Sequence, residues 1–291
     1  MHSYLKSIGF SDIKSKKELD EILEEVIHNY DEKMVIENGE NHLYAEISKA
    51  YGYDSGITVW GEYDENNEFH IEYYYPYFHG TDISTKEDVI IERHAGKESY
   101  AGACDDIRIG VTLIFYLQNA GEYITEKEKG MLKNKPASVT LSGLASEGKI
   151  LFPVEKNVQQ VQNDKNAMVN RNHLITAARN GDEDAMESLT MEDIDTYTML
   201  SRRIMHEDVF TIVDSYFMPY GMECDQYSVM GDITDFIEVT NTRTSEKMYQ
   251  LNINCNDVDF DICINKESLM GVPEIGRRFK GVIWLQGFVN F

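Results

Sequence analysis

The sequence predicts an α+β protein, with an N-terminal antiparallel sheet carrying an amphipathic helix, a helical connector, and a C-terminal small β-barrel (OB-like) or sandwich. Three observations carry this prediction. A capping box opens a helical apolar stripe near the N-terminus, runs of aromatic and β-branched residues broken by turn residues follow it, and the C-terminal segment alternates apolar with polar side chains.

The first helix is signalled by Ser15-Lys16-Lys17-Glu18, a Ser-x-x-Glu box in which the hydroxyl satisfies an orphan amide of the first turn. Leu19, Ile22, Leu23, Val26 and Ile27 then recur at helical spacing, so one face is apolar and must lie on something. Residues 42–51, 56–63 and 68–75 supply the sheet, and Asp64-Glu65-Asn66-Asn67 reads as the hairpin turn between the last two. Further strands are expected at 89–94, 107–117, 138–144 and 149–154, which makes residues 1–155 one α+β domain.

A shift to Gln, Asn and Lys after residue 155 marks a connector, residues 156–205. Gly181 is placed to end one helix and Asp182 to cap the next. Thr190-Met191-Glu192-Asp193 has the form of a capping motif, followed by Ile194, Tyr197, Leu200 and Ile204 on one stripe, and Arg202 and Arg203 suit the negative end of the helix dipole. In residues 206–291, Tyr227, Val229, Gly231 and Ile233 share one parity. Tyr249, Leu251, Ile253 and Cys255 share another, and Phe260, Ile262 and Ile264 follow a tight turn at Asn256-Asp257. Short strands punctuated by Gly271, Gly276, Gly281 and Gly287 fit a small barrel, and a small sandwich would share the pattern. No repeat of fixed period is visible, which excludes solenoids and propellers.

Composition bounds the function. The 291 residues carry 27 Lys plus Arg against 51 Asp plus Glu, a net charge of -24, with 42% hydrophobic and 11% aromatic residues. Such a chain buries a core and is too apolar to be disordered. The charge divides as -14 over residues 1–155, -2 over 156–205 and -8 over 206–291. Phosphate-rich partners are bound by cations, so nucleic acid and anionic membrane surfaces are disfavoured. The longest apolar run, 111–117, is too short to cross a bilayer. With no secretory pattern at the N-terminus, a cytoplasmic location is expected. Cys104, Cys224, Cys255 and Cys263 show no C-x-x-C spacing and are expected to be reduced and mostly buried.

Chemistry concentrates in two places. Between residues 92 and 110, Glu92, His94, Cys104, Asp105, Asp106 and Arg108 supply a nucleophile, a base and orienting carboxylates if they converge. The bland alternative is a loop in which Asp105 and Asp106 cap or pair with Arg108. Arg277, Arg278 and Lys280 with Trp284 form a basic and aromatic cluster, which on a barrel would contact phosphate or sugar if exposed on one face, or else neutralise nearby carboxylates.

Other stretches weigh less. The run 73–79 could stack sugars or bases, or pack as a hairpin. His70-Ile71-Glu72 lacks the P-C-x-x-C that a zinc deaminase requires, and His79, Asp82 and His94 have no ligand spacing, so no metal is expected. Asp257-Val258-Asp259-Phe260-Asp261 lacks the glycine and glutamate of a calcium loop and reads as a solvated strand surface. Nucleotide, hydrolase and zinc-protease motifs are absent, so no cofactor is expected.

Three segments resemble a family of uncharacterised cytosolic proteins from clostridial bacteria: Met1-His2-Ser3-Tyr4-Leu5 with Ile8-Gly9-Phe10, the central Ala177-Ala178-Arg179-Asn180-Gly181-Asp182-Glu183-Asp184-Ala185, and Gly276-Arg277-Arg278-Phe279-Lys280-Gly281 with Ile283-Trp284-Leu285-Gln286-Gly287. The resemblance spans nearly the whole chain and implies a bacterial protein with no catalytic residue to transfer. The leading expectation is a non-catalytic interaction or regulatory protein with a protein partner, of open oligomeric state. The alternatives are a hydrolase-like enzyme built around residues 92–108, and oligosaccharide or nucleic-acid binding through the barrel.

Overall fold

The computed structural model describes residues 2–38, 42–94, 99–130, 138–154 and 158–291. A 3-10 helix (Ser3–Ile8) precedes α1 (Lys16–His28), whose first turn is held by the Ser15 hydroxyl accepting from the Glu18 amide at 3.2 Å. The Glu18 carboxylate reaches one residue farther back than a standard capping box and accepts from the Lys14 amide at 2.7 Å. Strands β1 (Glu32–Asn38), β2 (His42–Gly52), β3 (Ser55–Tyr63) and β4 (Phe69–Phe78) form an antiparallel meander on which α1 lies. The first of these strands was not expected, because its alternation is short and its polar residues are charged.

The second sheet begins with β5 (Val89–Arg93), β6 (Tyr100–Asp105) and β7 (Thr112–Leu117), followed by α2 (Ala120–Glu128) and β8 (Ser138–Leu151). Two sequence expectations are corrected here. The strand expected from residue 107 starts only at Thr112, because Asp106 accepts from the Arg108 amide at 3.0 Å and closes a turn that runs to Gly110 at φ 78°. The strands expected at 138–144 and 149–154 are one strand, bent by an irregularity in its pairing with a later strand.

Helices α3 (Val158–Arg179) and α4 (Glu183–Ile204) form a hairpin whose turn is made by Gly181 at φ 90° and capped by Asp182, which accepts from the Ala185 amide at 3.1 Å. A short α5 (Val209–Ile212) and β9 (Tyr216–Pro219) lead into β10 (Gln226–Thr240), β11 (Lys247–Cys255), β12 (Val258–Asn265), β13 (Leu269–Met270) and β14 (Arg278–Asn290).

Five of these strands close into a barrel in the ring order β8, β12, β11, β10, β14 and back to β8. Only the β8–β12 contact in that ring is parallel. In an OB barrel the first three strands form a meander, the fourth returns beside the first, and the fifth closes the ring parallel to the third. Here β10, β11 and β12 are the meander, β14 is the returning strand and β8 is the closing strand. The ring is therefore that of an OB barrel whose closing strand comes first in the chain. The α3–α4 hairpin sits in the connection from β8 to β10. Strands β7, β6 and β5 continue the sheet from β14 through a parallel β7–β14 contact. The ten-stranded sheet thus draws strands from both sides of residue 155, where the sequence suggested a boundary.

The inward parity of the barrel is filled by side chains such as Leu141, Val229, Leu251, Ile253, Phe260, Ile262 and Phe279, all buried. Beside it Phe115 lies between Gly102 and Gly287, and a Cβ at either glycine would run into its ring. A second core forms between the outer barrel surface and the N-terminal meander. It joins Tyr4, Leu5 and Ile8 of the 3-10 helix and Leu23 and Val26 of α1 to Met248, Cys263 and Trp284. Of the four cysteines three are buried and Cys224 is exposed.

Candidate functional site

The residues that would supply a catalytic centre if they converged are spread along one hairpin and the turn that follows it. Cys104 pairs across the sheet with Val89, whereas the His94 amide donates to the Ser99 carbonyl at 2.8 Å, at the other end of the same two strands. Five strand positions separate them, about 17 Å at the usual rise. Burial pushes the Cys104 thiol up to about 12, and the carboxylates of Asp106 and Asp105 push it the same way, so it is a protonated core side chain. Glu92 faces solvent.

Asp106 is buried. Its carboxylate accepts from the Arg108 amide and from the guanidinium, at 2.6 Å for Oδ2. Burial alone would raise this carboxyl, but the hydrogen bonds from Arg108 and Thr85 outweigh it and hold it below its ordinary range. Arg108 also donates to the carbonyls of Asp257 and Ser84, tying three loops together, and Asp105 accepts from the Thr112 hydroxyl at 2.5 Å. These groups are spent on structure.

The basic cluster is dispersed as well. Arg278 is only 4% exposed and donates to the carbonyls of Phe152, Val213 and Phe210, so it clamps the end of β8 and α5 onto the barrel. Arg277 pairs with Glu274 at 2.8 Å and lies over the Phe152 ring. Lys280 and its cross-strand neighbour Lys149 both lie over Phe210, at 4.4 and 5.1 Å from its centroid. Trp284 is buried elsewhere. The single exposed cationic face that a phosphate or sugar site on these residues would need is not formed, because the Arg278 guanidinium satisfies carbonyls of the adjoining segments.

The outer surface of β11 and β12, where an OB barrel usually meets its ligand, is covered by the chain's own N-terminus. Asn241 donates to the Ile8 carbonyl at 2.8 Å, Asn265 to the Lys6 carbonyl at 3.3 Å, and the Cys263 thiol to the Ser7 carbonyl at 3.3 Å. Farther along, Asn252 pairs with Asp261 and Asn254 with Asp259 across the strands. Asp261 is not solvated as expected, since it is buried and caps the amide and hydroxyl of Thr81.

Two of the expected residues do converge. His94 and Trp284 line one cavity of about 500 Å³, together with Tyr4, Tyr116, Glu223 and Asp225. The indole N–H donates to Asp225 at 2.7 Å, and Tyr4 stacks on the indole with centroids 5.6 Å apart. Burial raises the Asp225 carboxyl although the indole and the nearby His94 oppose it. The His94 ring meets the Ser99 hydroxyl through Nδ1 at 3.0 Å. Asp225 carries no sequence signal, because it only precedes β10 and is brought to Trp284 by the pairing of β10 with β14.

The aromatic run of β4 turns inward. Tyr73 stacks on Trp60 and Tyr75 packs against Tyr116, between the two sheets. The Tyr75 hydroxyl donates to Glu46 at 3.0 Å and the Gly121 amide at the start of α2 donates to its other oxygen at 3.2 Å. Burial nevertheless lifts the Glu46 carboxyl to about 7. Among the described residues Asp64, Glu68 and His70 bring metal-type ligand atoms within 4.8 Å of one another, on the β3–β4 turn. There His70 pairs with Asp64 at 3.2 Å.

The helical arm differs from all of this. Arg171 of α3 pairs with Glu192 and Asp193 of α4, and Ala185, Leu189 and Leu200 form the covered side of α4. Next to that side around the helix, Met186, Ile194, Tyr197 and Ile204 are 44, 56, 75 and 51% exposed. They follow helical spacing, so the apolar stripe of α4 is wider than the part of it that the chain covers. Its principal contacts are with α3 and α5. No helix among the described residues is long and apolar enough to cross a membrane.

Among curated proteins and among solved structures, nothing matches the chain. A family model described as "Domain of unknown function, E. rectale Gene description (DUF3881)" matches residues 5–287. That match covers the meander, the arm and the barrel together, and the chain belongs to this family of unknown function.

Proposed function

We propose that the protein is a cytosolic, non-catalytic interaction protein in which the barrel and meander form a scaffold and the α3–α4 arm is the recognition element. The observation that carries this reading is the uncovered apolar face of α4. Large apolar side chains set at one helical face and left in water are a recognised mark of a protein-binding surface. Met186 suits such a surface, because an unbranched thioether adapts to its partner. The dispersal of Cys104, His94, Asp105, Asp106 and Arg108 supports the non-catalytic half of the reading.

A photo-activatable side chain placed at position 194 tests it in living cells, with a control at Ile90, which is equally open on β5. The reading expects protein adducts from position 194 well above those from position 90. Equal yields at the two positions would overturn it.

A second reading is favoured by the cavity beside Trp284. Two carboxylates, Glu223 and Asp225, stand next to the rings of Tyr4, Tyr116 and Trp284, a combination that suits an organic cation. Thermal-shift titration with a quaternary ammonium and with a polyamine tests it. A stabilisation lost in Asp225→Asn supports the site, and equal response of the variant removes it.

A further inference from the structure

We infer that Lys149 and Lys280 form a site for a small dianion, a phosphate monoester or a dicarboxylate, in the cavity on the outer side of β8 and β14. The site shares no lining residue with the cavity beside Trp284 and does not involve the apolar stripe of α4.

Lys149 and Lys280 are direct cross-strand partners, so their side chains leave the sheet on one face, and both ammonium groups lie over the ring of Phe210. Like charges set opposite each other cost stability. Elsewhere on the barrel the chain relieves such crowding by itself. Lys247 and Lys266 share Glu238, whose two oxygens each accept from one ammonium group at 2.6 Å. Lys149 and Lys280 have no such bridge, although the chain has 51 carboxylates to draw on. Among the described residues neither of them holds a carboxylate within ion-pair distance. The Phe210 ring fixes both stems, yet a cation over a ring face is held by the quadrupole, so the N–H donors remain available to an anion that comes from outside the chain.

Both lysines line a cavity of about 710 Å³. Beside them in its wall, the Ser268 hydroxyl is buried with no hydrogen-bond partner in the chain. Leu269, Met270 and Val282 give the cavity an apolar side, so an oxyanion held at the lysines has room for an organic body. Glu147 and Glu267 also line it, but both are exposed, where water and salt screen them, and neither reaches an ammonium group. Two ammonium groups are point charges with three donors each, which suits two negative charges rather than the single carboxylate that one guanidinium fork would grip.

Isothermal titration calorimetry of the full chain at constant ionic strength tests the site, with phenyl phosphate, malonate and chloride as probes. Binding of phenyl phosphate or malonate is expected, with no binding of chloride, and the tighter of the two dianions identifies the oxyanion. Lys149→Gln and Lys280→Gln should each weaken that binding roughly tenfold or more, the usual consequence of losing a hydrogen bond from a charged group, while Lys149→Arg should keep most of it. Both Gln variants should retain the wild-type far-UV spectrum, so that lost binding reports lost charge. A wild type that binds neither dianion, or that responds to chloride equally, overturns the inference. Binding that survives in both Gln variants overturns it as well.

Discussion

Ile262 in the barrel and Ile194 on α4 are the same side chain in opposite surroundings, 0 and 56% exposed. Around Ile262 every inward position of β11 and β12 is filled, and much of the outward parity is also covered, by the 3-10 helix and the meander. Around Ile194 the apolar stripe of the helix runs on past the part that the chain covers. The contrast separates a region whose apolar side chains are buried within the chain from one whose apolar side chains stay exposed. It also explains why the barrel, the obvious binding module by fold, is the weaker candidate here. Its usual ligand surface is already occupied by residues of the same chain.

The sharpest test of that contrast is Phe115→Ala. The ring is enclosed by Gly102 and Gly287, whose backbones cannot collapse far into the space it leaves, so a loss of about 3–5 kcal/mol is expected in urea unfolding. A loss below about 1 kcal/mol would show that this part of the barrel sheet is not the tight core described.

Next comes Arg278→Ala, which strands the carbonyls of Phe152, Val213 and Phe210 and should cost about 2–3 kcal/mol. It should also speed limited proteolysis of the segment from 205 to 215, since the clamp on α5 is gone. Unchanged proteolysis would mean that the arm is held to the barrel by other contacts.

Glu46 gives a pH-dependent effect at the junction of the two cores. Its carboxyl is raised from 4.5 to about 7 in the folded chain, so the folded state holds a proton that the unfolded state releases. The stability this contributes is fully present below pH 4.5 and is lost as the pH rises through about 7. Glu46→Gln should therefore gain stability relative to wild type between pH 5 and pH 8, measured as a difference in melting temperature. A difference that stays flat over that range would place the carboxyl in water.

The smallest effect belongs to the arm. Ile194→Ala should change the stability of the monomeric chain by no more than about 0.5 kcal/mol, whereas Ile262→Ala should cost about 2–5 kcal/mol. Similar losses at both positions would erase the distinction on which the proposed function rests.

Much of the fold was legible in local patterns. The capping box at Ser15 and Glu18, the turn at residues 64–67, the Gly181-Asp182 stop and start, and the parity of β10 to β12 are all short-range signals, and each is in place. The site was legible only in fragments. His94 and Trp284 were both visible as chemically rich residues, yet they are 190 positions apart and belonged to two different hypotheses. Cys104 and His94, only ten positions apart, lie at opposite ends of a hairpin.

By itself the sequence determined the acidity of the protein and the type of most elements, because charge, periodicity and caps act within a few residues of one another. Only the tertiary structure decided which strands close the barrel, because the β8–β12 and β7–β14 contacts are parallel pairings between distant segments and leave no local signature. The same long-range closure decided function's candidates. It buried Arg278 and Cys104, covered the barrel's outer surface, and brought Asp225 to Trp284. It left Ile194, Tyr197 and Ile204 of the α4 stripe exposed, while Leu200 of the same stripe is partly covered.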